Sequence, residues 1–324
     1  MRALVTGATG FLGTSLVRLL RERGYTVRAL VRGTAPPSLH AAGVEEVPGD
    51  VVAPETLDRA VEGCDLVFHL AGVRRASRRE EFLAVNAQGT RNLVEACLRR
   101  RRPLARFVLA GSLAASGPSA GGRHEEDPLC PVEWYGESKA EAERISFAHP
   151  DLLPAAVARP PRITGPGDRE NAFFFRLAAH RVLFALSGPP RPLSFVDVDD
   201  CARGMLLLAE RREAIGEAFF LAHVSRTDME GLQREIASAL RVDPFRVPLN
   251  PALLRLAASA SDAASRLLGR RLPLNRKLAE QLLAPGWTCH TEKAERLLGF
   301  RAQISLSDSI RRSALWYREQ GWVS

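Results

Sequence analysis

Lysine is almost missing from this chain: of 45 basic side chains only Lys139, Lys277 and Lys293 are lysines, and the rest are arginines. Aromatic residues are also scarce, at 6%, and no recognisable nucleic-acid module is present. The net charge of +8 is therefore read as a polyphosphate-binding or simply arginine-rich surface rather than a nucleic-acid footprint. The five cysteines (Cys64, Cys97, Cys130, Cys201, Cys289) are scattered and odd in number. They make no disulfide framework and no metal-ligand pair, so no metal is expected and a reducing cytoplasm fits best. No apolar run reaches the roughly eighteen residues of a spanning helix. A strand-like run starts at Arg2, which leaves no room for a signal peptide.

What is present is alternation. Short apolar runs at Ala3–Thr6, Thr26–Val31, Val44–Pro48, Leu66–Leu70, Phe107–Ala110 and Ala155–Ala158 are separated by amphipathic stretches such as Thr14–Arg23, Glu55–Glu62, Gly89–Arg99 and Tyr135–Ala148. This pattern predicts an α/β fold, a doubly wound parallel sheet of Rossmann type, with ligands at the carboxyl ends of the strands. Residues 1–165 are expected to form it, with 191–224 returning to it and a strand at Ala218–Ala222. Residues 166–190 and 225–324 are expected to form a smaller, mostly helical substrate-binding region. It includes an apolar helix from Pro251 that stops at Gly269. That helix reads either as an amphipathic packing element or as a hydrophobic entrance in peripheral contact with a membrane.

Strand Arg2–Val5 leads into Thr6-Gly7-Ala8-Thr9-Gly10-Phe11-Leu12-Gly13 and then a helix. Glycines let the backbone turn tightly against a pyrophosphate, and the helix N-terminus favours its charge. At the end of the second strand no acid awaits the ribose 2′-hydroxyl of NAD. Val31 stands there, followed by Arg32, which either pairs with the 2′-phosphate of NADP or is a solvated loop residue.

Tyr135 and Lys139 lie four apart, on one face of a predicted helix. An ammonium beside a phenol stabilises phenolate and makes the tyrosine a usable general acid or base. Ser112 ends the strand Phe107–Ala110 and could polarise a substrate oxygen, or cap the next helix.

The turn Thr-Gly-x-x-Gly-x-x-Gly, with the downstream Tyr-x-x-x-Lys, resembles the extended branch of the short-chain dehydrogenase/reductase superfamily, the NAD-dependent epimerase/dehydratase family. The resemblance covers the whole chain. It implies cofactor contacts by Gly7, Thr9, Gly10, Phe11, Leu12 and Gly13, by Arg32, Asp50 and Val51, by Leu70, Ala71 and Gly72, and by Pro160 and Ile163, as well as by Tyr135 and Lys139. It implies Ser112 as the catalytic serine and Asn86 as a helix asparagine near the lysine; a buried structural amide is the other reading of Asn86. Asp50 could equally start the helix that follows it. His69 reads as a structural strand residue.

Three departures narrow the reaction. Leu113 and Ala114 stand where sugar-nucleotide dehydratases carry Asp-Glu. Leu193-Ser194 and Asp197 replace the epimerases' Arg-Asp pair and histidine, and Arg162 replaces their asparagine. The pattern is most similar to 3β-hydroxysteroid dehydrogenase-like and dihydroflavonol reductase-like members. The expectation is an oxidoreductase that interconverts a ketone and a secondary alcohol on a small apolar molecule. NADP(H) is preferred and NAD(H) is also accommodated. Arg162 and Phe173 are candidate substrate contacts, although Phe173, Phe174 and Phe175 also read as helix core. Arg74, Arg75, Arg78 and Arg79 are either an anion site or a solvated helix start. The resemblance further implies a homodimer through the helices carrying Asn86 and Tyr135. The alternatives are a sugar-nucleotide epimerase with tightly held NAD and a non-catalytic dinucleotide-binding regulator.

Overall fold

A computed structural model describes residues 1–33, 39, 43–267 and 276–322. Its main sheet holds seven strands: β1 (Arg2–Thr6), β2 (Thr26–Val31), β3 (Glu45–Pro48), β4 (Leu66–His69), β5 (Arg106–Ala110), β7 (Ala155–Ala158) and β11 (Ala218–Phe219). The order is β11-β7-β5-β4-β1-β2-β3, and every pairing is parallel. The alternating strand–helix pattern thus forms a doubly wound α/β sheet, with the winding reversing between β1 and β4. At such a reversal the carboxyl ends of neighbouring strands splay apart and open a crevice.

The strands read as near-continuous apolar runs because both faces are covered. Period-2 alternation divides them: Ala3, Val5, Leu66, Phe68 and Val108 face one core with Leu16, Leu20, Met205 and Phe219. Leu4, Val67, Phe107 and Leu109 face the other with Leu57, Leu93 and Ile145. Ala294, Leu298 and Phe300, far along the chain, complete the first core.

The second half is mostly helical, as expected, but also carries short strands that its sequence does not announce. A smaller sheet runs β12 (Arg226–Thr227), β10 (Leu193–Asp197), β14 (Trp287–Cys289) and β6 (Ser119–Arg123), with β8 (Arg162–Thr164) beside β10. A separate parallel pair joins β9 (Val182–Leu186) to β13 (Phe245–Leu249). These strands are only two to five residues long, too short for period-2 alternation to separate them from loops. The expected strand at 218–222 is ordered as β-structure only over Ala218–Phe219. The helix Pro251–Leu267 forms as predicted, while its expected stop at Gly269 lies outside the described residues. A third core unites Phe175, Leu232, Ile236, Ile310 and Tyr317 beneath the loop that follows β8.

Candidate active site

The cofactor end is built on steric necessity. Gly7 has φ +71°, a conformation that side chains rarely adopt. A Cβ on Gly13 would lie 2.0 Å from the Gly7 carbonyl oxygen. The turn therefore closes only without side chains, and the helix Phe11–Glu22 starts from Gly10 with no side-chain cap. Its first amide groups are left for an anion, and the cradle fits a dinucleotide pyrophosphate. Leu70 and Ala71 pass directly against Gly7, where an added Cβ would sit 2.8 Å from each backbone.

His69 ties this floor together. The Thr90 hydroxyl donates to the Asn86 carbonyl at 2.6 Å, so the imidazole Nε2–H must donate to Thr90 Oγ1 at 2.9 Å. Thr6 Oγ1 accepts from the Ala71 amide at 3.1 Å and gives its own proton to His69 Nδ1 at 2.7 Å. The hydrogen-bond network sets the tautomer. Burial, with the Lys139 charge nearby, pushes the imidazole down to about 3, so it stays neutral. His69 is a structural brace, as its strand position predicts.

Tyr135 stands at the start of the helix Trp134–Ser146, which Glu133 caps by accepting from the Tyr135 and Gly136 amides at 2.9 and 2.7 Å. Gly136 permits a close approach: a Cβ there would lie 2.4 Å from the Ala114 carbonyl oxygen. This brings Tyr135 beside Ser112, which itself caps the short helix Leu113–Ser116 by accepting from the Ala114 amide at 3.1 Å. The capping reading of Ser112 thus holds, and the same hydroxyl lies within reach of the Tyr135 phenol. Burial raises the Tyr135 phenol, while Arg74 and the Ser112 hydroxyl pull it back down.

Lys139 is buried and donates from Nζ to the Ala110 carbonyl at 2.7 Å. Spacing alone predicts an ammonium spent on the phenol; here the end of β5 takes one of its protons. Burial, aided by Arg74, pushes Lys139 down to about 8. Asn86 lies in a π-helical stretch, Leu83–Gln88. Its Oδ1 accepts from the Val73 amide at 2.8 Å, and its Nδ2 donates to the Val73 carbonyl and to Ser138 Oγ. It fastens the loop after β4 to the helix Trp134–Ser146, a buried link that sequence leaves open.

At the end of β2, Arg32 is exposed, with Asp50 Oδ2 at 3.8 Å. Asp50 also accepts from the Val52 amide at 3.2 Å. Val51 is buried against Gly89. Pro160 lends its carbonyl to the Leu113 amide at 3.0 Å, and Ile163 packs on the first core.

Across the cleft, Phe175 is fully buried against Tyr317, Phe174 lies under the Arg162 guanidinium, and Phe173 is 57% exposed. Arg162 bonds Asn171. Yet Arg162 Nε, Asp168 Oδ2 and Asn171 Nδ2 are buried with no partner among the described residues. Sequence reasoning missed Asp168 and Asn171, because only the fold gathers them around Arg162.

The chain matches the NAD dependent epimerase/dehydratase family over residues 3–222. It belongs to that family. At 31% identity it is similar to a ceramide reductase of Caulobacter vibrioides, across 98% of this chain and 95% of the relative. At 32% it is similar to a 2-alkyl-3-oxoalkanoate reductase of Stenotrophomonas maltophilia, across 96% and 98%. A 3-beta-hydroxysteroid dehydrogenase of Mycolicibacterium neoaurum is 27% identical across 98% and 92%. Among solved structures, that of gox2253 superposes with a TM-score of 0.84 at 28% identity, covering 99% of both chains. The protein is an NAD(P)-dependent oxidoreductase of the extended short-chain type, as the motifs predict.

Proposed function

We propose that this protein reduces a ketone to a secondary alcohol on a molecule with an apolar body, using NADPH. The observation that carries the reading is that the helix Trp134–Ser146 brings Tyr135 to Ser112 and Lys139 to the Ala110 carbonyl, both at the carboxyl end of β5. When bound, the nicotinamide supplies or accepts the hydride. Ser112 donates a hydrogen bond to the substrate oxygen and orients it. Tyr135 gives that oxygen its proton as the carbonyl is reduced, and takes it back in the reverse direction. The raised phenol favours the protonated acid that reduction requires. Lys139 holds the cofactor ribose with the protons that Ala110 leaves free, and Asn86 keeps its loop in place.

Arg32, the cation at the end of β2, supports NADPH over NADH through a guanidinium–phosphate contact. Arg162 and the exposed Phe173 border the substrate side. The names of the ceramide and 2-alkyl-3-oxoalkanoate reductases support a carbonyl reduction with alkyl chains present. Leu113 and Ala114 supply no acid or base for elimination, so the product keeps its oxygen.

The test is Tyr135→Phe. Ketone-dependent NADPH consumption should fall by about 10²–10⁴-fold, the usual worth of a general acid. NADPH affinity should stay unchanged. Undiminished turnover in this variant overturns the mechanism. Release of stoichiometric NAD from the purified protein, with no exchange for NADPH, overturns the reductase reading in favour of an epimerase.

A further inference from the structure

Four arginines follow the turn after β4, and the structure separates them. Arg75 reaches Glu170 at 2.5 Å, Arg78 reaches Glu81 at 3.1 Å, and Arg79 forks onto Glu137. Arg74 is exposed and makes no hydrogen bond or ion pair among the described residues.

Its position is well bounded. Asn86 pins Val73 by both its amide and its carbonyl. A Cβ on Gly72 would lie 2.9 Å from Asn86 Oδ1 and 3.4 Å from Lys139 Nζ. On the other side, the Arg75–Glu170 pair fastens the segment to the loop that holds Asp168 and Asn171. Arg74 thus sits between the catalytic helix and the Arg162 loop, at the mouth of the cleft. Its charge is felt by Tyr135, Lys139 and Glu133 on one wall and by Arg162 and Asp168 on the other.

The acids nearby are already engaged. Glu133 spends both oxygens on the amides of Tyr135 and Gly136, and Glu170 holds Arg75. Asp168 gives one oxygen to the Glu170 amide and keeps the other buried facing the Arg162 side. Arg74 is therefore a guanidinium without a carboxylate, among the described residues, whose charge acts on the Tyr135 phenol. A planar fork of this kind is matched by a carboxylate from outside the chain.

We propose that Arg74 docks a substrate carboxylate close to the reacting carbonyl, so that the substrates are apolar β-keto acids and their β-hydroxy products. This rests on the ketone–alcohol reading above and deepens it. The carboxylate meets Arg74 at the cleft mouth while the carbonyl oxygen meets Tyr135 and Ser112. The alkyl chain is left for the apolar side near Phe173.

The experiment compares a β-hydroxy fatty acid with its methyl ester, on wild type, Arg74→Ala and Arg74→Lys. Each ligand is tested for NADP-dependent oxidation and, separately, for binding to the NADP-loaded protein by calorimetry. For the acid, Arg74→Ala should raise KM and the dissociation constant by about ten- to a hundredfold, the scale of a charged hydrogen bond, with kcat little changed. Arg74→Lys should recover part of the loss, and the ester should be indifferent to all three. Equal losses for acid and ester overturn the inference, because the role is then structural. Weaker NADP binding in Arg74→Ala also overturns it, because the guanidinium then serves the cofactor. Turnover of the ester but not the acid by wild type overturns the inference while the reductase reading stands. Arg74-dependent binding of the acid without any turnover upholds the carboxylate site and removes the reductase reading.

Discussion

Lys139 Nζ donates to the carbonyl oxygen of Ala110 at 2.7 Å, which joins the helix Trp134–Ser146 to the end of strand β5. The ammonium is buried and therefore held down to about 8, well below an ordinary lysine. If it holds the cofactor ribose, that grip weakens as the proton leaves. NADPH affinity, followed by fluorescence titration, should be level below about pH 8 and decline above it. Lys139→Met should bind weakly at every pH and show no such decline. The sign for folding is the reverse. The folded protein disfavours the charged form, so this residue makes stability rise between about pH 8 and its ordinary value of 10.5.

Gly13 and Gly10 should respond differently to one added methyl group. On Gly13 it would strike the Gly7 carbonyl oxygen at 2.0 Å; on Gly10 the same oxygen is 3.2 Å away and φ is an ordinary −81°. Gly13→Ala should distort the turn, lower stability by about 1–3 kcal/mol as overpacking does, and abolish measurable NADPH binding. Gly10→Ala should fold normally and bind more weakly. Calorimetric melting and cofactor titration distinguish the two, and equal behaviour would contradict the packing.

His69 makes the fold acid-sensitive. Its imidazole is held neutral down to about 3, whereas an unfolded histidine protonates near 6.5. Between those values the unfolded chain binds the extra proton, so stability falls as pH falls, by up to about 1.4 kcal/mol per unit. His69→Phe should lower stability at pH 7 by roughly 1–3 kcal/mol, because Thr6 and Thr90 lose their partner. It should also flatten the loss between pH 6.5 and 4. Urea unfolding across that range reads both effects.

Arg32 is a test of cofactor choice. Arg32→Ala should weaken NADPH by about tenfold, the order of one charge-assisted contact, and leave NADH unchanged. An unaltered ratio of the two affinities would remove the assignment.

Much of the site was legible because its parts are local in sequence. The glycine turn lies within thirteen residues of the start, and Tyr135 and Lys139 share one helix turn. The strands of the main sheet were legible because burial on both faces makes each an apolar run. The small strands β6, β8, β9, β10 and β12–β14 were not, since their partners come from distant parts of the chain.

The sequence by itself determined the doubly wound sheet, the glycine turn and the placing of Tyr135 and Lys139 on one helix, because backbone sterics and helix periodicity act over neighbouring residues. Tertiary structure decided what pairing leaves over. Arg74 to Arg79 look alike as letters, and only the folded chain brings Glu170 and Glu137 to Arg75 and Arg79 and none to Arg74. It likewise turned three consecutive phenylalanines into one core residue, one shelf beneath Arg162 and one exposed ring. Charge pairing and burial depend on which surfaces meet, and residues far apart in sequence settle that.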